Sequence, residues 1–187
     1  NRIDNLGYEY AADLFRFVPG VAVNRTGGYG GNTQLRIRGA ENNHSVVLID
    51  GIDVSSAGSG EFDLSSLLSA EIERIEVLRG PQGTLFGRNT IGGAINITRS
   101  RPTGELGGKL RVGYEKYDTF YADGIVNFGL SENFAVKLSA AKRDQQEGYY
   151  DNDYVGRDVG RNDYQSLGLN FLWTPSDSLE LEYTGQF

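Results

Sequence analysis

The chain has 187 residues, a formal net charge of -7 and no cysteine. Disulfides and thiolate metal sites are thereby excluded, and an acidic excess argues against nucleic acid, whose phosphates call for clustered Lys and Arg. No apolar run is long enough for a transmembrane helix, a test that a transmembrane barrel with alternating strands escapes. No basic segment followed by an apolar stretch opens the chain, so a secretory signal is expected to have been removed or never included.

Tyr8 to Phe17 predicts a short helix with Ala11, Leu14, Phe15 and Val18 at helical spacing, stopped by Pro19-Gly20. Val21 to Asn24 reads as a strand, Thr26 to Asn32 as a glycine loop and Gln34 to Arg38 as the next strand. Glu41 to Ser45 is a polar turn leading into Val46 to Ile49, an apolar run suited to burial on both faces and ended by Gly51. Ser55 to Glu61 follows as a small-residue loop, and Leu64 to Leu68 as a helical turn.

The passage Ile72 to Thr98 joins an alternating strand (Ile72, Ile75, Val77, Leu78), the turn signal Gly80-Pro81 and a second strand from Ala94 to Thr98. Between them Gly83, Gly87, Gly92 and Gly93 mark bends or close backbone approaches. Pro102, Gly104, Gly107 and Gly108 then cluster at a boundary between two unlike parts.

Beyond it, Leu110, Val112 and Tyr114 alternate with polar or small residues, as do Phe120, Ala122, Gly124, Val126, Phe128 and Leu130. A Ser131-Glu132-Asn133 turn leads into Phe134, Val136, Leu138 and Ala140, and Lys142 to Asn162 is a long polar stretch. Leu167, Leu169, Phe171 and Trp173 alternate, Thr174 to Ser178 turns, and Leu179, Leu181, Tyr183 and Phe187 finish the chain. Tight turns on one edge and a long excursion on the other suit a transmembrane barrel. A soluble antiparallel meander with one face on a core gives the same alternation.

The glycine-rich passage resembles the end of the plug domain of TonB-dependent outer-membrane receptors. Leu35-Arg36-Ile37-Arg38-Gly39 and Val46 to Ile52 resemble the family's IRG and LIDG segments, and Asp13-Leu14 through Pro19-Gly20-Val21 its opening helix and PGV turn. The resemblance implies an α+β plug domain, residues 1–102, followed by antiparallel strands of a transmembrane β-barrel, residues 103–187. About five strands cannot close around such a domain, so the chain is expected to be the N-terminal piece of a longer receptor, or to be completed by other chains. No TonB-contact segment is recognisable before Leu6, so truncation is expected there too.

The same resemblance implies roles for particular residues. Arg38 and Arg79, each beside a glycine in an apolar strand environment, match arginines that pair with glutamates on the inner barrel wall, which here would lie beyond Phe187. Snorkelling strand arginines are the plainer reading. Tyr29, Asn32, Phe86 and Asn89 fall on loops that face the substrate at the plug apex, where loop scaffolding is an equal reading. Tyr149, Tyr150 and Tyr154, among carboxylates and arginines, suit capture of a ferric chelate, although an ordinary solvated loop explains the charges equally.

Other chemistry is poorly supplied. His44 is the one histidine, is expected to be exposed, and has no neighbouring nucleophile. Gly83 to Thr90 lacks the spacing and lysine of a phosphate loop. Asp151 to Gly156 starts like a calcium loop, but Val155 and Asn162 stand where ligands should. No catalysis, cofactor or metal is expected.

By resemblance the protein binds a scarce nutrient, foremost an iron-siderophore complex, and moves it across the outer membrane when TonB pulls on the plug. A non-siderophore nutrient such as cobalamin or a glycan is the alternative ligand; a soluble periplasmic binding module with a β-meander is the alternative class. The expected location is the outer membrane of a Gram-negative bacterium, the plug accessible to the periplasm, with TonB, the ligand and outer-membrane lipid as partners and no nucleic acid.

Overall fold

The computed structural model describes residues 11–25, 32–55, 62, 71–81, 83–87, 90–154 and 156–187. The chain divides into two compact units, residues 1–100 and 101–187.

In the N-terminal unit, α1 (Ala11–Leu14) continues as a 3-10 turn, Phe15–Phe17. Ala11, Ala12, Leu14 and Phe15 are buried because their spacing puts them on one apolar face. The stop follows from Pro19, which drives the preceding residue out of the helical region: Val18 is extended at φ -92°, ψ 114°. The expected start of this helix, Tyr8 to Tyr10, lies outside the described residues.

Strand β1 (Val21–Arg25) pairs antiparallel with β2 (Thr33–Ile37), Val21 opposite Ile37 and Arg25 opposite Thr33. A separate four-stranded sheet has the order β4-β3-β6-β5, from β3 (Ser45–Ile49), β4 (Ile52–Asp53), β5 (Ile72–Arg79) and β6 (Gly93–Arg99). β3 and β6 run parallel in its middle, Val47 opposite Ile95, so both are covered on two faces and their side chains sort by parity. Val47, Ile95 and Ile97 join the helix residues, Leu35, Ile37 and Ile72 in the main core, whereas Val46, Leu48 and Ala94 form a second cluster against Phe86. Burial of each large aliphatic side chain contributes about 1.5–3 kcal/mol. Gly93 is where the chain tolerates only glycine: at φ 148°, a Cβ would sit 2.2 Å from the Leu78 carbonyl oxygen.

Two expectations change here. Arg38 is not part of a strand; it follows β2 in a left-handed conformation (φ 52°) and is exposed. The polar turn before β3 is a 3-10 helix, Asn42–His44, in which His44 is half-buried rather than exposed, its carbonyl accepting the Gly92 N–H. The Leu64 to Leu68 turn, and the Ser55 to Glu61 loop apart from Ser55, lie outside the described residues.

In the C-terminal unit, β7 (Gly107–Glu115), β8 (Thr119–Ser131), β9 (Phe134–Gln145), β12 (Tyr164–Ser176) and β13 (Leu179–Gln186) form a five-stranded sheet of order β13-β12-β9-β8-β7. All neighbours are antiparallel, so it is an unclosed up-and-down meander. The polar stretch expected from Lys142 is partly structured: β9 runs on to Gln145, and a hairpin forms from β10 (Tyr150–Asn152) and β11 (Arg157–Val159).

The registers sort this sheet into two unlike faces. One carries rows such as Phe128, Val136, Phe171 and Tyr183, and Val126, Leu138 and Leu169; the other carries Asn127, Lys137, Asn170 and Thr184. Burial is the reverse of a soluble meander. Leu110, Val112 and Leu167 are exposed, whereas Thr119, Asp123, Lys137, Arg143 and Asn170 are buried. A sheet that presents apolar side chains outward and buries lysine fits lipid on one side and a polar interior on the other. From Phe120 to Leu130, at about 3.3 Å per residue and a tilt of about 40°, the apolar face is about 25 Å tall.

Candidate functional site

Among the described residues, charged and aromatic groups gather in several constellations. The first lies where β1 ends and β2 begins. Asp13, buried on α1, receives Arg16 Nε at 3.0 Å and Arg25 Nη2 at 3.4 Å, and Arg25 Nε donates to Thr33 Oγ1 at 3.3 Å. A buried carboxylate is retained only when paired, and here the pairing ties the last residue of β1 to the first of β2 and both to the helix. Asn32 stands exposed beside this root, while Tyr29 lies outside the described residues.

The second constellation is arginine-rich. Arg38 Nη1 comes within 3.6 Å of where a Gly80 Cβ would be, and its Cγ within 3.9 Å of that position on Gly20, so glycines make room for the side chain. This brings Arg38 to the residue next to Arg79, at the end of β5. Both arginines are exposed, and among the described residues neither forms an ion pair with a carboxylate. Burial within an apolar strand environment, the expectation from sequence, is corrected. Gly80 is buried, but Arg79 itself points to solvent because β5 is an edge strand with its alternate face uncovered.

Near the opposite end of the same sheet, Asp50 adopts a left-handed conformation (φ 52°) and its carboxylate accepts from Arg99 twice, from the main-chain N–H at 2.8 Å and from Nε at 2.7 Å. The bond locks the ends of the two parallel strands. Phe86, in the one-turn helix α2 (Gly83–Phe86), is half-buried against Val46, Leu48 and Ala94, so its ring serves packing. Asn89 is outside the described residues.

The third is the polar face of the five-stranded sheet. Arg111 pairs with Asp123 across β7 and β8 at 2.8 Å, Arg143 reaches Glu115 at 3.2 Å, and Asn170 Nδ2 donates to Thr184 Oγ1 at 3.0 Å. Tyr121 folds its ring over the place a side chain would take at Gly113, its registered partner.

The fourth is the excursion between β9 and β12. Gln145 is buried at its base, its Nε2 donating to the Glu147 carbonyl at 2.6 Å and its Oε1 accepting the Asn162 N–H at 3.2 Å. Tyr149 packs edge-on to Tyr117 of the neighbouring turn at 4.8 Å, Tyr150 lies in β10, and Tyr154 is 98% exposed at the hairpin tip. The three tyrosines therefore point to different surroundings and do not converge. Asn152 Oδ1 accepts the Tyr154 N–H at 3.1 Å, an Asx turn in place of a calcium loop. The Asp158 carboxyl is held below its usual range, first by the Gly148 N–H and then by the Arg161 guanidinium. Among the described residues no group of three or more His, Asp or Glu side chains is placed to hold a metal ion.

Residues 1–94 match the family described as TonB-dependent Receptor Plug Domain, half of the chain. The chain belongs to the TonB-dependent receptor family. A vitamin B12 transporter of Photobacterium profundum is 34% identical over 147 residues, which span 79% of this chain and 24% of that protein. In fold, the ferric yersiniabactin uptake receptor of Yersinia pestis matches 98% of this chain at a TM-score of 0.79 and 20% identity, over 29% of its own length. The siderophore receptor PirA of Acinetobacter baumannii matches 98% of this chain at a TM-score of 0.73 and 22% identity, over 30% of its length. This TonB-dependent receptor chain thus spans about a quarter of the vitamin B12 transporter's length. The family is one of receptors and transporters. The soluble meander is set aside by the outward apolar face together with the plug match.

The sequence reading missed the Asp13–Arg25–Thr33 root, the Asp50–Arg99 lock and the Gln145 base. Asp50 was visible in the LIDG segment, but nothing local tied it to Arg99.

Proposed function

We propose that this chain supplies the plug and the first wall strands of an outer-membrane receptor that takes up a scarce, large metal chelate, with a ferric siderophore as the first reading. The observation that carries the proposal is the pairing of a small mixed-sheet domain with a sheet that turns its apolar face outward. A chelate of this kind is too large to pass an occupied barrel, so the plug must be remodelled. Its β1-β2 hairpin and four-stranded sheet share no ladder hydrogen bonds and are joined by side-chain packing, the contact that such remodelling opens. TonB is the partner that supplies the pull, and outer-membrane lipid surrounds the wall.

In this reading Arg38 and Arg79 present their guanidinium groups to carboxylates on the wall of the intact receptor, since both are exposed and, among the described residues, without a carboxylate partner. Asn32, Tyr29 and Asn89 contact the ligand in this reading, and Tyr150 and Tyr154, both exposed, offer aromatic surface outside the membrane. Cobalamin is the second reading, favoured by the name of the relative at 34% identity.

The test is uptake by cells carrying the intact receptor, with radiolabelled ferric siderophores and radiolabelled cyanocobalamin as probes, in the presence and absence of TonB. TonB-dependent accumulation of a ferric siderophore is expected. Accumulation of cyanocobalamin alone would replace the first reading by the second, and TonB-independent behaviour with both would contradict the proposal.

A further inference from the structure

The segment that leads from Arg101 to β7 does not take the shortest route into the sheet. Arg101 reaches across to β13, where Nη2 lies 2.5 Å from Glu180 Oε1 and 2.8 Å from Glu182 Oε2, and Nε donates to Glu182 Oε2 at 3.0 Å. Glu180 and Glu182 alternate with Leu179 and Leu181, so both carboxylates lie on the polar face. Gly104, at φ 74°, lies against the middle of the same sheet. Its carbonyl oxygen sits 2.5 Å from where a Cβ on Gly129 of β8 would be, and its own missing Cβ would lie 3.7 Å from Ala135 of β9. Gly129 and Ala135 are registered partners.

These contacts describe one crossing of the sheet, bent at Gly104 and Glu105. β7 and β13 are the two outer strands of the sheet, four strand spacings apart, about 19 Å at about 4.8 Å each. The six residue steps from Arg101 to Gly107 span about 20 Å when extended. The segment bends at Gly104 and Glu105, and with the reach of the Arg101 side chain it crosses the sheet and is fastened at its far end. Guanidinium forked between two carboxylates fixes direction as well as distance, which a single exposed ion pair does not. The strand at the near end is weak where it starts: Gly107 and Gly108 open β7 without side chains to pack.

We propose that residues 101–106 are a strap and that Arg101 moors it to β13, so that a displacement of the N-terminal unit stops at Arg101 and does not peel β7 from its glycine end. Arg101 is a positioning residue, acting through Glu180 and Glu182. The functional sense of the strap rests on the reading above, in which the N-terminal unit moves during uptake; its test is independent of uptake.

In the intact receptor in lipid bilayers, nitroxides placed at Thr103 and Asp177, both exposed, report the distance between strap and the β12-β13 turn by double electron–electron resonance. The wild-type distribution is expected to be narrow, and Arg101→Gln to widen it at least twofold. Combining Arg101→Glu with Glu180→Lys and Glu182→Lys is expected to restore the narrow distribution. If Arg101→Gln does not assemble, Glu180→Gln with Glu182→Gln removes the same fork from the other side. Pulling single receptors from the N-terminal unit adds a second readout: a last force peak releasing about 20 Å of chain, absent in the fork variants. An unchanged distribution in the variants, or a widening that charge reversal leaves in place, overturns the proposal. Loss of the uptake reading would leave both readouts as they are.

Discussion

Asp50 holds the plug sheet at a point where the backbone is already committed to an uncommon conformation. Its left-handed φ suits Asp or Asn, and Gly51 beside it continues the turn at φ 81°. With two charge-assisted bonds to Arg99, discounted because both side chains are partly solvated, Asp50→Ala is expected to destabilise the β3-β6 pair by about 1–2 kcal/mol. Asp50→Asn, which keeps an acceptor and tolerates the conformation, is expected to cost less. Hydrogen exchange of the Val46–Ile49 and Ile95–Arg99 amides in the intact receptor checks both, the alanine variant exchanging roughly tenfold faster. At this scale the sequence was least legible. Ile37 and Gly39 suggested a strand around Arg38, but whether a residue is the last of a strand or the first of a turn depends on the φ it adopts. Asp13 meets Arg25 only because α1 packs beside the β1-β2 hairpin, a tertiary consequence with no local signal.

The strands were legible because alternation survives even where the exposed face is the apolar one. β7, β8, β9, β12 and β13 all fall on the alternating runs, while their polar ends were not legible. Beyond Ala140 the outward positions become Lys142 and Asp144, which reads as loop, yet β9 continues and a hairpin follows. That hairpin is held by polar contacts, which leave no hydrophobic period to detect. Asp158 is central to it, and the depressed pKa gives the sign of its pH dependence. Its contribution is fully present above the unfolded value of about 3.9 and is lost as pH falls through the lower folded value. The hairpin is therefore expected to keep its protection between neutral pH and about pH 5, to loosen only below about pH 4, and to be severalfold less protected at neutral pH in Asp158→Asn. Hydrogen exchange across residues 148–160, corrected for intrinsic rates, measures this.

For the whole molecule, the division into two unlike parts followed from a change in pattern near Pro102, and the two compact units meet at Ser100 and Arg101 in the chain. What the alternation could not decide was which face is wet, because a soluble meander and a barrel wall share a period of two. Burial decides it: Lys137 is fully buried and Leu110 is 79% exposed on the same sheet. The rings of Phe134, Phe171 and Tyr183 stack on the apolar face, running inward from the Ser131–Asn133 turn.

The most direct test is site-by-site accessibility in the intact receptor in lipid bilayers, with single nitroxides along β8 and β9 probed by molecular oxygen and by a polar nickel chelate. A period of two is expected in both strands, with Val126, Phe128, Val136 and Leu138 favouring oxygen and Ile125, Asn127, Lys137 and Ser139 shielded from lipid. Alternation of the opposite phase, or no alternation between the two reagents, would contradict it.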